Sequence, residues 1–381
     1  MKKTIMTLVL AALMLTSCAT QENGGITKQT DGSDKVPVSQ IWDGYEELQG
    51  RQYGTAFMLP EKIEPVSVEE LYSFVPEDRT GRNDEEDAKA YFKAFFGDEY
   101  NEENVSKRDE TNYFYLETKG VEEYNSASYI NGCPLNAQKK GSFMLGSNGY
   151  ELKQRYYPDT DGDVMLEVGT ENLTVSEMFD IAVRYSGDLL KGHYTELEMF
   201  PVSLYTAYSS DLDDYGVGVI MGFKYKGLAI EDHFTNLFDA QERGFYEVIT
   251  TYDPICFSID FYGSDDVRFV NYTCGDWNLV AEPQENVISL KAAVGLLEKE
   301  LATNSEYKFS NVSLIYCRKM TGPTRGEDEK ATESILADYG ESVPCPYVPT
   351  WVFSFGEDTV NGMRENYIKV NALTGEITVD I

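Results

Sequence analysis

Ser289-Leu-Lys-Ala-Ala-Val-Gly-Leu-Leu-Glu-Lys-Glu-Leu301 and the following Asn311-Val-Ser-Leu-Ile-Tyr-Cys-Arg318 are the stretch on which the fold reading turns. The first segment spaces its apolar residues at helical intervals. The second alternates as a half-buried strand does. Val348-Pro-Thr-Trp-Val-Phe-Ser-Phe355 reads as a further strand. Tyr367 to Ile381 reads as a hairpin in which Gly375 supplies the positive φ of a tight turn. The implied unit is one helix laid on antiparallel strands.

The same order recurs upstream. Thr174 to Ser186 reads as a helix with a capping box, Thr174 answered by Glu177, and Met178, Ile181, Ala182 and Tyr185 on one face. Strand patterns follow at 202–208, 217–225, 245–251, 255–261 and 267–273. Val175-Ser176 ahead of Pro201-Val-Ser-Leu-Tyr205 echoes Ile288-Ser289 ahead of Asn311-Val-Ser-Leu-Ile315, as a duplicated unit would. Further upstream, Asn83 to Phe96 reads as a helix with an acidic first turn. Ala88, Tyr91, Phe92, Phe95 and Phe96 form its apolar face, and Gly97 stops it. Val66 to Tyr72 reads as a short helix capped by Ser67, and 111–117, 127–130 and 142–145 as strands. The expected fold class is therefore α+β, with tandem helix-on-antiparallel-sheet units: an N-terminal region at 41–170, a central unit at 171–282 and a C-terminal unit at 283–381.

The N-terminus reads as a processing signal over residues 1–17, with Lys2 and Lys3 ahead of an apolar run from Thr4 to Leu15. Leu15-Thr-Ser-Cys18 resembles the bacterial lipobox, which implies cleavage before Cys18 and lipid attachment to its sulfur. The expected location is then the extracytoplasmic face of a cell membrane, held by lipid alone. Residues 18–40, rich in Gly, Thr, Asp, Gln and Lys, have the composition of a flexible tether.

The formal net charge of −33 disfavours nucleic acid and anionic lipid headgroups as partners. Apolar content of 42% is ample for packed cores. Beyond Cys18 the cysteines are Cys133, Cys256, Cys274, Cys317 and Cys345. Cys256 and Cys274 lie symmetrically about Asp265, so a bridge between them is one reading; a Cys317–Cys345 bridge and a set of buried thiols are the others.

The chain carries no GxSxG, P-loop, GxGxxG or HExxH pattern, and its two histidines, His193 and His233, have no Cys or second His nearby in sequence. No catalytic residue, metal site or cofactor is expected. The sharpest metal candidate is Asp159-Thr-Asp161-Gly-Asp163 with Glu167. An EF-hand loop, however, needs Gly at its sixth place and Glu at its twelfth, where this one has Gly162 fourth and Thr170 twelfth. An acidic turn is the better reading. With 27 Tyr, 19 Phe and 3 Trp, some aromatics could grip a partner, although strand alternation assigns most of them to cross-strand packing.

The C-terminal section resembles PepSY-like and YycI/YycH-type extracytoplasmic modules. The likeness rests on the helix, the first strand, Pro349-Thr-Trp351 and the Val370-Asn-Ala-Leu-Thr-Gly-Glu376 hairpin, about a quarter of the chain. Members of these families bind peptides, proteases or sensor kinases and restrain them. The resemblance implies a noncatalytic module contacting a protein or peptide partner through a sheet edge or face. The rivals are a wall- or glycan-degrading hydrolase with paired carboxylates and a solute-binding lipoprotein.

Overall fold

The computed structural model describes residues 35–76, 85–107, 113–117, 126–130, 133–139, 150–189, 196–209, 214–231, 257–261, 263–272, 279–301, 306–318, 346–356, 358–359, 362–363 and 366–380. Its first section supplies strands β1 (Lys35–Pro37), β2 (Gln52–Tyr53), β3 (Phe57–Met58) and β4 (Leu71–Pro76). Then come α1 (Glu85–Phe96), β5 (Val105–Lys107), β6 (Tyr113–Glu117), β7 (Ser126–Ile130), β8 (Cys133–Gln138) and β9 (Tyr150–Tyr156). A single turn, α2 (Pro158–Asp161), leads to the hairpin of β10 (Met165–Val168) and β11 (Glu171–Thr174), and on to α3 (Val175–Leu189). Strands β12 (Leu197–Ser209), β13 (Asp214–Tyr225), β14 (Leu228–Ala229), β15 (Phe257–Phe261) and β16 (Val267–Tyr272) complete the middle. The last section holds β17 (Leu279–Gln284), β18 (Asn286–Ile288), α4 (Leu290–Glu300), β19 (Tyr307–Arg318) and β20 (Tyr347–Phe355). It ends with β21 (Asp358–Thr359), β22 (Gly362–Met363), β23 (Asn366–Asn371) and β24 (Ile377–Asp380).

The expected class is corrected by this architecture: the protein is mostly β, organised around two large sheets, and does not consist of tandem helix-on-sheet units. The larger sheet has ten strands in the order β5-β6-β7-β8-β16-β15-β13-β12-β9, with β14 added beside β13. Both α1 and α3 pack on it. The face expected for α1 is the one it buries, Ala88, Tyr91, Phe92, Phe95 and Phe96. Of the face expected for α3, Met178 and Ala182 are buried while Ile181 and Tyr185 are half-buried, and Phe179, outside the expected face, is buried with them. The Thr174–Glu177 capping box forms as read, with the Glu177 N–H donating to Thr174 Oγ1 at 3.1 Å and the Thr174 N–H to the Glu177 carboxylate at 2.8 Å.

The smaller sheet has eight strands and cuts across the sections expected from sequence. β19 and β20 pair along most of their length, and β20 continues laterally to β23 and β24. On its other flank β19 accepts β3, and near Tyr347 β20 meets β4, which pairs in turn with β17. Residues 35–76 thus belong with the C-terminal section. Lys35–Pro37, read as tether, pairs with β18, and Val38 is buried. The short helix expected at Val66–Tyr72 is not formed. The chain there runs into β4, where Leu71 and Phe74 are buried and the backbone bonds go to β17.

Burial holds the N-terminal arm in place. The ring of Trp42 meets that of Trp351 edge-on, centroids 4.9 Å apart, while Trp351 Nε1 donates to the Ile288 carbonyl at 2.8 Å. The Leu290 N–H donates to the Ile41 carbonyl at 2.9 Å, so the arm also caps the start of α4. Ser289 caps the same helix through its hydroxyl. At the far end, Gly375 has φ 76°, and Asn371 Oδ1 accepts from the N–H groups of Leu373 and Thr374, closing the β23–β24 turn.

Candidate functional site

The two sheets meet at β14. Ile230, one residue beyond that strand, bridges Tyr316 of β19 in parallel, and the Glu231 N–H donates to the Tyr316 carbonyl at 2.8 Å. An aromatic cluster fills the seam. Phe74 lies 4.9 Å from Tyr316, 5.0 Å from Tyr225 and 5.2 Å from Tyr347, with its ring stacked on the last. The backbone N–H of Tyr72 donates to the Tyr316 hydroxyl at 3.3 Å, and burial pushes the Tyr316 phenol pKa up.

Beside this cluster sits the most chemically loaded group among the described residues. Glu231, 7% exposed, receives a hydrogen bond from Lys369 Nζ at 2.5 Å. Glu231 reaches this place because it follows the Ile230–Tyr316 bridge. Lys369 of β23 stands opposite Val352 of β20, Thr350 lies two places along β20 from Val352, and Cys317 of β19 stands opposite Val348, two places further. Thr350 donates its hydroxyl to the Val348 carbonyl at 3.0 Å. Cys317 is a free, buried thiol; desolvation first, then the Glu231 carboxylate, push its pKa well above the ordinary value, and the Lys369 ammonium opposes this only in part. A thiol so placed stays protonated and unreactive near neutral pH. The arrangement can join two sheets and orient backbone, but it does not present an activated nucleophile.

The sequence candidates fall elsewhere. Asp161 turns its carboxylate onto the Tyr157 N–H at 2.7 Å, within the single turn α2, and the Gly162 carbonyl accepts from Ser176 at the start of α3. The acidic segment is therefore a capped turn against a helix. Among the described residues no three His, Cys, Asp or Glu side chains gather as a metal site would require. Cys18, Cys256, Cys274, Cys345, His193 and His233 lie outside the described residues, so the lipidation reading and the Cys256–Cys274 bridge do too, whereas Cys317 is a free thiol and the Cys317–Cys345 bridge is not formed. Among the described residues no helix is long and apolar enough to cross a membrane. Sequence reasoning passed over Glu231 and Lys369, which are 138 positions apart and sit in no motif; a lone lysine on an otherwise apolar strand pattern was the only available signal.

Two surface features bear on contact. Three outer strands, β9 and β5 of the larger sheet and β17 of the smaller, carry features that discourage pairing with another chain. β9 takes a register shift that leaves Lys153 as its extra, exposed residue; β17 contains Pro283; β5 is three residues long. The turn end of the β12–β13 hairpin, in contrast, displays a cross-strand pair, Tyr208 and Tyr215, with ring centroids 4.6 Å apart. Tyr215 is 66% exposed, and Lys153 Nζ stands over the Tyr208 ring at 5.7 Å. A second cation–ring pair occurs toward the other end of this hairpin, Lys224 over Phe200 at 4.5 Å. Gly222 makes room there, since a Cβ on it would meet the Phe200 ring at 3.0 Å.

No protein-family model matches the chain. A search of curated proteins likewise finds no match.

Proposed function

We propose that this protein is a noncatalytic binding module, tethered by lipid at Cys18 to the outer face of a membrane, that acts by contact with a protein or peptide partner. The observation that carries the reading is the contrast between its two notable clusters. The cluster with reactive groups, Glu231, Lys369 and Cys317, is closed on itself at the seam between the sheets, with the thiol held protonated. The cluster turned outward, Tyr208 and Tyr215, has the composition of a contact surface. The guarded edges of β5, β9 and β17 favour contact through a face over the addition of a strand at those positions. The likeness of residues 289–376 to PepSY-like and YycI/YycH-type modules points the same way, because those families work by binding.

The test is a crosslinking pull-down from native membranes, using the full chain as bait, together with palmitate labelling of wild type and Cys18→Ala. Specific recovery of one partner, and loss of label and of membrane retention in Cys18→Ala, are expected. Turnover of a wall polymer, glycan or peptide by the purified chain would overturn the noncatalytic reading. Label that persists in Cys18→Ala would overturn the tether.

A further inference from the structure

Among the described residues, Arg155 of β9 is the half-buried cation that the chain leaves without a carboxylate or a ring. The others of similar burial are matched. Lys89 pairs with Glu85 and Glu102, Arg268 with Asp266 and Lys369 with Glu231, while Lys139 and Lys224 stand over the rings of Phe95 and Phe200. Arg155 has one hydrogen bond, its Nε donating to Ser203 Oγ at 3.0 Å. The chain holds 65 Asp and Glu residues, and a partly desolvated charge without a counterion is destabilising.

Strand register fixes its setting. Arg155 stands opposite Tyr205 of β12, Tyr205 opposite Gly218 of β13, and Ser203 opposite Ile220. Side chains alternate along a strand, so Arg155, Ser203, Tyr205 and Ile220 share one face, and Leu204 and Val219 belong to the other. Ser203 is fully buried, and Tyr205 and Ile220 are 4% and 3% exposed, yet neither joins the continuous core that includes Leu204 and Val219. The Ser203 hydroxyl engages Nε and so orients the guanidinium plane, leaving the two terminal nitrogens for an outside group. Two coplanar N–H donors match the two oxygens of a carboxylate.

We infer that Arg155 is a carboxylate-binding residue, whose terminal nitrogens receive a carboxylate of the partner from a peptide chain end or from one acidic side chain. The net charge of −33 repels polyanions, so the carboxylate is carried singly on a neutral or basic segment. The inference rests on the binding-module reading above and names the chemistry of one contact.

The test follows the backbone amides of Arg155 and Ser203 in nuclear magnetic resonance titrations of the full chain with four probes. These are acetyl-triglycine with a free C-terminal carboxylate, its C-terminal amide, acetyl-glutamate amide and inorganic phosphate. Saturable shifts with a carboxylate probe and none with the triglycine amide are expected, and the tighter of the two carboxylates identifies the source. Arg155→Lys keeps the charge but loses the fork, and should weaken binding about tenfold. Arg184→Met, which removes an exposed charge on α3, should match wild type. Unchanged amide positions elsewhere show that each variant is folded. No saturable shift, an equal response to the amide, tighter binding of phosphate, or full affinity in Arg155→Lys would each overturn the inference. In the membrane pull-down, a partner that still binds Arg155→Met refutes this contact and leaves the binding-module reading standing; enzymatic turnover without a stable partner refutes that reading itself.

Discussion

Replacing Lys369 with methionine would keep the length of the side chain and remove its charge, leaving the Glu231 carboxylate at the seam without its counterion. The side chains of Lys369 and Glu231 are only 15% and 9% exposed, so solvent screens the pair weakly. At an effective dielectric near 20, unit charges about 3 Å apart attract by roughly 5–6 kcal/mol, and desolvation of both ions offsets much of that. Removing one partner forfeits the attraction but keeps the other ion's desolvation cost, and for buried pairs this amounts to about 3–5 kcal/mol. Lys369→Met should therefore shift the folding equilibrium by a factor of more than about one hundred. Glu231→Leu combined with Lys369→Met removes both charges, and the double variant should recover most of the loss. Urea unfolding followed by tryptophan fluorescence is a suitable assay, because Trp351 lies in the same sheet as Lys369 and Trp42 packs against it. A single-variant loss below about 1 kcal/mol, as for exposed pairs, would refute the argument. So would a double variant no more stable than Lys369→Met.

Three further outcomes follow from the same structure. Glu171 accepts from the hydroxyl and the N–H of Ser264, which hold its pKa below the ordinary carboxylate value and tie the β10–β11 hairpin to the turn before β16. A pKa lowered on folding contributes stability that is present above the unfolded value, about 4.3, and lost as pH falls through the folded one. Glu171→Gln should accordingly flatten the acid limb of stability measured by urea unfolding from about pH 5 downward, and an unchanged acid limb would count against the contact. Cys317, buried and protonated, should resist iodoacetamide in the native chain and label on unfolding, read by peptide mass spectrometry; native labelling would contradict its burial. Trp42→Ala should cost about 2–3 kcal/mol, below the range for a fully buried tryptophan because Trp42 is half-buried, and should change the environment of Trp351; an unaltered near-UV circular dichroism spectrum would argue that the N-terminal arm is not packed as described.

Those predictions fall where the sequence was hardest to read, and the reason is physical. A helix announces itself within a dozen residues, because its apolar face and caps lie close together in the chain. Ala88 to Phe96, the Thr174–Glu177 box and the helix opening at Ser289 were all legible on that ground. Strands were legible as strands, but alternation states only which residues share a face and says nothing about the neighbouring strand. The likeness of Val175-Ser176 to Ile288-Ser289 is a likeness of local order, helix and then strand, and it suggested a repeated unit. Lateral hydrogen bonds decide otherwise: β4 pairs with β17 some two hundred residues away, and β16 pairs with β8 across more than half of that separation. The candidate site follows the same logic. Glu231 carries no motif, and its significance comes entirely from β14 ending against β19 where β23 presents Lys369. Tyr215 looked like one of 27 tyrosines until pairing put it opposite Tyr208 at the end of a hairpin, beyond the stretch in which β13 is buried. In this protein both the Glu231–Lys369 pair and the Tyr208–Tyr215 pair are made by topology, so no substitution chosen from sequence pattern alone would have reached either.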